Sequence, residues 1–93
     1  MLYHLSIHRP QPEHEAALIY SMHRFGRAAS SQPGLLEAHT LKDRSSGTFV
    51  GLAIWESEEA LGAARPALAA AVADDDFDTW EIEPPAVFLL EEV

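Results

Sequence analysis

The sequence predicts an α+β fold: a ferredoxin-like β-α-β-β-α-β sandwich with an antiparallel sheet ordered 4-1-3-2 and both helices on one face. Three observations predict it. Strand-like segments open and close the chain around two stretches of helical character. Two further strand-like segments are separated only by Arg44-Ser45-Ser46-Gly47, a hairpin connection that makes neighbours of them. The second of that pair is apolar on both faces, so it needs cover above and below.

Taken in order, Met1 to His8 alternates, with Tyr3, Leu5 and Ile7 on one side and Leu2, His4, Ser6 and His8 on the other, which is the period of a strand. Pro10 and Pro12 interrupt it. Glu13 to about Ser30 follows as a helix, with acids in the first turn and Arg24 and Arg27 nearer the last, as the helix dipole favours. Its buried stripe is Leu18, Met22, Phe25 and Ala29. Gln32-Pro33-Gly34 turns the chain into a strand from Leu35 to Asp43, and a third strand runs from Thr48 to Glu56. Ser57 is an N-cap with Glu58 and Glu59 behind it, opening an Ala-rich helix toward Ala73. Pro66 lies inside that helix and predicts a kink or break near Arg65, because proline removes a helical N–H. Asp74-Asp75-Asp76 reads as loop, and Ala86 to Val93 as the fourth strand. Right-handed crossovers and the central hairpin then fix the strand order. One domain over residues 1–93 accounts for the whole sequence.

Composition narrows the function classes. The net charge is −9, from 15 acidic and 6 basic side chains, and the basic ones form no run, which argues against nucleic acid or an anionic membrane as partner. Without cysteine there is no disulfide, thiolate metal site or thiol nucleophile. No segment has the pattern of a secretory signal or the length of a membrane span, so a cytoplasmic location is expected.

The third strand also predicts assembly. Phe49, Gly51, Ala53 and Trp55 face one way and Val50, Leu52 and Ile54 the other, yet two helices cover only one face. The remaining apolar face would exceed what soluble monomers usually expose. A second copy laid sheet to sheet removes it, so a homodimer is expected.

Pro33-Gly34-Leu35-Leu36, followed by the run from Gly47 through Trp55-Glu56-Ser57 to Leu61, resembles the antibiotic biosynthesis monooxygenase-like family of dimeric α+β barrel proteins. There a Pro-Gly turn precedes the second strand, and a strand ending in Trp-Glu-Ser leads directly into the second helix. The resemblance extends over nearly the whole chain. It implies a homodimer and a reaction that needs no cofactor, on a small aromatic or enolic compound; non-catalytic members imply the alternative of a small-ligand-binding or stress-related accessory protein. The haem-degrading branch of the group carries an Asn, a Trp and a haem-ligating His at positions that fall here on Ser6, near Ala64 and near Asp74. None matches.

Candidate chemistry centres on histidine. His4 and His8 share a strand face but lie about 13 Å apart, too far for one metal ion. His39 is on a different strand, and His14 and His23 do not stack on their helix, so no metal site is expected. In the family the matching face of the first strand looks into a cavity between sheet and helices. The polar stripe His4, Ser6, His8 would then face a ligand, with His8 as general base, Ser6 and His39 as hydrogen-bonding groups and Trp55 as an apolar wall. In the alternative, Tyr3, Leu5 and Ile7 pack on the helices and the polar stripe lines the dimer interior. Trp55 and Trp80 are more commonly core or interface anchors. Asp74, Asp75, Asp76 and Asp78 lack the glycine and terminal glutamate of a calcium loop and read as a solvated acidic turn. No Ser-His-Asp order, phosphate loop or dinucleotide glycine pattern is legible.

Overall fold

The computed structural model describes residues 1–93. Strand β1 (Leu2–His8) leads through a 3-10 turn at Pro12–His14 into helix α1 (Glu15–Ser30). Strands β2 (Leu35–Lys42) and β3 (Phe49–Trp55) form the hairpin, followed by helix α2 (Glu58–Ala71), the short helix α3 (Phe77–Trp80) and strand β4 (Ala86–Leu90). All pairings are antiparallel, in the order β2-β3-β1-β4, which is the expected 4-1-3-2 sheet read from its other edge.

The departures from expectation are local. Pro12 stands at the start of the 3-10 turn, so the regular helix begins at Glu15 rather than Glu13. Helix α2 runs uninterrupted through Pro66, so no break forms near Arg65. Buried Leu61 and Ala64 anchor the helix on one side of the proline and Leu68 on the other, and this packing outweighs one missing hydrogen bond. The turn after α2 carries a helix, α3, that the sequence did not suggest; the Asp76 carboxylate caps it by accepting from Thr79 N–H. Strand β4 ends at Leu90, short of Val93.

Caps and turns follow the side chains. Ser57 Oγ accepts from Ala60 N–H at 3.1 Å and starts α2. Asp43 Oδ2 accepts from the Ser46 hydroxyl and, at 2.9 Å, from Ser46 N–H, and these hydrogen bonds hold its carboxyl below the usual aspartate range while they close the hairpin. Gly34 joins α1 to β2 at φ 87°, and a Cβ there would lie 2.6 Å from Ala60 Cβ. Both the left-handed backbone and the close approach to α2 require glycine. Gly34→Ala is expected to destabilise the fold by about 2–4 kcal/mol, read as a lower urea midpoint at an unchanged m-value.

Register decides which side chains meet the helices. His4 pairs with Ala53, Ser6 with Gly51 and His8 with Phe49. Ala53, Phe49 and Trp55 are buried under the helices, so the His4, Ser6, His8 stripe shares the helix-covered face. Of the two placements open from sequence, the first holds. Tyr3, Leu5 and Ile7 lie on the opposite, uncovered face with Ile54, Leu52 and Val50. The core divides into two clusters. One joins Trp55, Leu61, Ala64, Leu68, Ala29 and Ala53, and the other Leu18, Met22 and Phe49. Ser6 and Gly51 sit in the gap between them.

Candidate functional site

Gly51 creates the gap. A Cβ at Gly51 would come within 2.7 Å of Ser6 Oγ and 3.4 Å of Met22 Cε, so its bare α-carbon leaves floor space between strand and helix. A cavity of about 950 Å³ opens there, lined by His4, Ser6 and His8 from β1 and by Met22, Phe25 and Ala29 from α1, with Ala38 and Thr40 of β2 toward the sheet edge. The size suits a small organic molecule. No carboxylate side chain forms part of its wall.

At one end stands a buried relay. His8 Nδ1 is 2.9 Å from Glu81 Oε2, and His8 Nε2 is 2.9 Å from Ser6 Oγ. The Glu81 side chain is only 1% exposed. Its other oxygen accepts from Arg9 N–H at 3.3 Å. An ionised carboxylate only accepts hydrogen bonds, so a neutral His8 carries its proton on Nδ1 and leaves Nε2 as acceptor for the Ser6 hydroxyl. The histidine's basic nitrogen is thus held toward Ser6 and the cavity.

Glu81 reaches this position because the chain after α3 runs beside the chain after β1. Gln11 N–H donates to Trp80 O and Ile82 N–H to Arg9 O, with Pro10 bridged to Glu81. Sequence reasoning missed Glu81, which lies 73 residues from His8 in an acidic stretch. The one available signal was the alternation of Trp80 and Ile82 with Glu81 and Glu83, the period of an extended segment.

A second polar cluster fixes the cover of the cavity. Arg24 on α1 donates to Asp75 Oδ1 and to Ala71 O, each at 2.7 Å, and Ser21 Oγ donates to Asp75 Oδ2. Asp75 is therefore a buried ion-pair partner rather than part of a solvated acidic turn. The clasp sets the start of α3, where the Phe77 ring lies 6.4 Å from His8 and packs edge-on against Trp80. Phe77 closes the His8 end of the cavity.

The other expected site residues separate. His39 pairs with Leu52 on the uncovered face, and its ring bonds Glu37 there at 3.1 Å; although the cavity wall includes His39, strand alternation turns its imidazole away from His8. Trp55 is fully buried in the larger core cluster, outside the cavity wall, with its Nε1 unpartnered, so it is a core residue and not a wall of the site. His4 lies half-buried beside Phe25, where burial, aided by the Arg65 charge, lowers its pKa below the usual histidine value. It enters the cavity neutral at pH 7. No three His, Asp or Glu side chains converge as a metal site would require.

Fold and cavity define a ferredoxin-like α+β protein with a cavity between sheet and helices. Residues 2–73 match the model of the antibiotic biosynthesis monooxygenase family, and the chain belongs to that family. No curated protein matches it in sequence. Among solved structures, Rv0793 from Mycobacterium tuberculosis is similar with a TM-score of 0.86 at 18% identity, over 99% of this chain and 94% of that one. A crystal structure named as an antibiotic biosynthesis monooxygenase aligns with a TM-score of 0.81 at 18% identity, over 100% and 99% of the two chains. PA3566 from Pseudomonas aeruginosa gives 0.82 at 16%, over 99% and 93%. Identities this low establish the shared fold. Family membership adds a monooxygenase-like, small-molecule-binding character. No helix is long and apolar enough to cross a membrane.

Proposed function

We propose that the protein is a homodimeric, cofactor-independent monooxygenase acting on a small aromatic or enolic compound, with His8 as general base. The observation that carries this reading is the His8–Glu81 pair at the wall of the cavity. A substrate hydroxyl that displaces or bridges the Ser6 hydroxyl gives its proton to Nε2, and Glu81 stabilises the imidazolium that forms. The electron-rich anion then reduces dioxygen: one oxygen atom enters the substrate, the other leaves as water, and the substrate supplies the electrons. Apolar contacts from Met22, Phe25 and Phe77 favour an aromatic body.

Oxygen uptake with a panel of hydroquinones and anthrones, with and without chelator, tests the reading. Uptake that survives chelator supports it, and uptake abolished by chelator overturns the cofactor-independent mechanism. Gly51→Ala is expected to push the Ser6 hydroxyl off His8 and raise the cavity floor, lowering turnover by about 10²-fold while far-UV circular dichroism stays unchanged. A second reading, a ligand-binding accessory protein without turnover, draws on the fact that Ser6, His8 and Glu81 already satisfy one another without a substrate. Saturable binding of the same compounds with no uptake of oxygen favours that reading.

The dimer is proposed on the uncovered sheet face. Leu41, Phe88 and Leu90 there remain 45–47% exposed, and β4 is exposed along its whole length, so neither of its faces is covered by a helix. A second copy supplies the missing cover.

A further inference from the structure

We propose that Ser6, His8 and Glu81 form a nucleophilic relay that cleaves esters of apolar carboxylic acids, a second activity of the same cavity distinct from oxygen chemistry. Three features carry the inference. The base is already aimed at a serine hydroxyl, 2.9 Å from Nε2, and the orienting carboxylate is 2.9 Å from Nδ1. Both Ser6 and His8 open onto the cavity, so a carbonyl can approach the hydroxyl. Finally, Ser6 Oγ lies only 2.7 Å from where a Cβ on Gly51 would stand, so the glycine keeps any β3 side chain from pressing on the hydroxyl.

The strand register supplies the rest of the site. Ser6, Gly51 and Thr40 form one row across β1, β3 and β2, because Gly51 pairs with both of the others. Two strand spacings put the outer α-carbons about 9.6 Å apart. With no side chain on Gly51, the carbonyl oxygen of an acyl group on Ser6 extends over the glycine toward the Thr40 hydroxyl, which donates to it as negative charge develops. Met22, Phe25, Ala29 and Phe77 give the acyl chain an apolar lining.

The reaction balances as a hydrolysis. Ser6 Oγ bonds to the ester carbonyl carbon while its proton moves to His8 Nε2, and the carbonyl electron pair shifts to oxygen. Collapse of that intermediate breaks the carbon–oxygen bond to the alcohol, which leaves with the proton from Nε2. Water then gives its proton to His8 and attacks the acyl carbon, releasing the carboxylic acid and restoring the Ser6 hydroxyl. Glu81 stays ionised throughout and stabilises the imidazolium. No oxidant or reductant enters.

A fluorophosphonate reporter and p-nitrophenyl octanoate test the proposal on the full chain. Intact-mass and peptide mapping should show one phosphonyl group per chain, on Ser6, together with release of p-nitrophenolate. Ser6→Ala should abolish the adduct, His8→Gln and Glu81→Gln should slow labelling by about 10²-fold or more, and Thr40→Val should slow ester turnover by about 10²-fold. Glu81→Asp should recover part of the loss if the carboxylate orients the base, a recovery that a purely structural role would not give. Should Glu81→Gln fail to fold, the wild-type adduct and its absence in Ser6→Ala still decide the matter. A wild-type chain that takes no adduct on Ser6, or a His8→Gln chain labelled at the wild-type rate, overturns the proposal. Both readouts are independent of oxygen uptake, so failure here leaves the monooxygenase reading standing, and the converse also holds.

Discussion

His8→Ala is expected to lower oxygen uptake with a hydroquinone or anthrone by about 10²–10⁴-fold while leaving the assembly state unchanged. The effect is large because no other histidine of the cavity wall is held by a buried carboxylate, and His23 stands exposed on α1. His4 lies further along β1 without a carboxylate partner, and burial favours its neutral form but gives it no means of stabilising the charge it would acquire. His39 is turned to the other face of the sheet. The substitution should not unfold the chain, because His8 lies at the cavity wall and belongs to neither apolar cluster. It does leave Glu81 as a buried carboxylate without its main partner, and a moderate loss of thermal stability is expected to accompany the lost activity. Oxygen electrode traces of His8→Ala and wild type, side by side with sedimentation velocity, provide the check. Uptake at the wild-type rate removes His8 from the mechanism.

Leu5→Glu is expected to convert the proposed dimer into a monomer. Leu5 lies on central strand β1, flanked in register by Leu52 on β3 and Phe88 on β4, all on the face that no helix covers. A carboxylate at the middle of a face-to-face sheet contact would be desolvated without a counter-charge, a cost of several kcal/mol that a small interface does not absorb. In a monomer the same glutamate stands in water and costs little. Sedimentation at micromolar concentration should therefore move from twice 10.2 kDa to 10.2 kDa, with retained far-UV circular dichroism. A wild-type chain that already sediments at 10.2 kDa overturns the proposed assembly.

The two expectations draw on opposite faces of one sheet, and the sequence was unequally informative about them. Val50, Leu52 and Ile54 alternate with Phe49, Ala53 and Trp55, and that pattern alone requires cover on both sides. The Trp55-Glu56-Ser57 corner and the Pro33-Gly34 turn were legible because they are contiguous; Ser57 caps α2, and Gly34 adopts the left-handed backbone that its position demands. Of the kink or break read from Pro66, the break does not occur, since a local helix-breaking tendency gives way to burial of Leu61, Ala64 and Leu68. His39 misled for a geometric reason: its neighbours Ala38 and Thr40 take the cavity face, and a period of two leaves it the other.

Local chemistry in the sequence by itself determined the order of the four strands and two long helices, the sheet topology, the family and the polar stripe His4, Ser6, His8, because periodicity, capping and turn residues act within a few positions of one another. Only the tertiary structure decided that this stripe lies beneath the helices, that Gly51 opens a cavity above it, and that Glu81 and Asp75 are buried partners of His8 and Arg24. Those contacts join residues 73 and 51 positions apart. Their carboxylates are chemically identical to the solvated acids around them until folding removes the water.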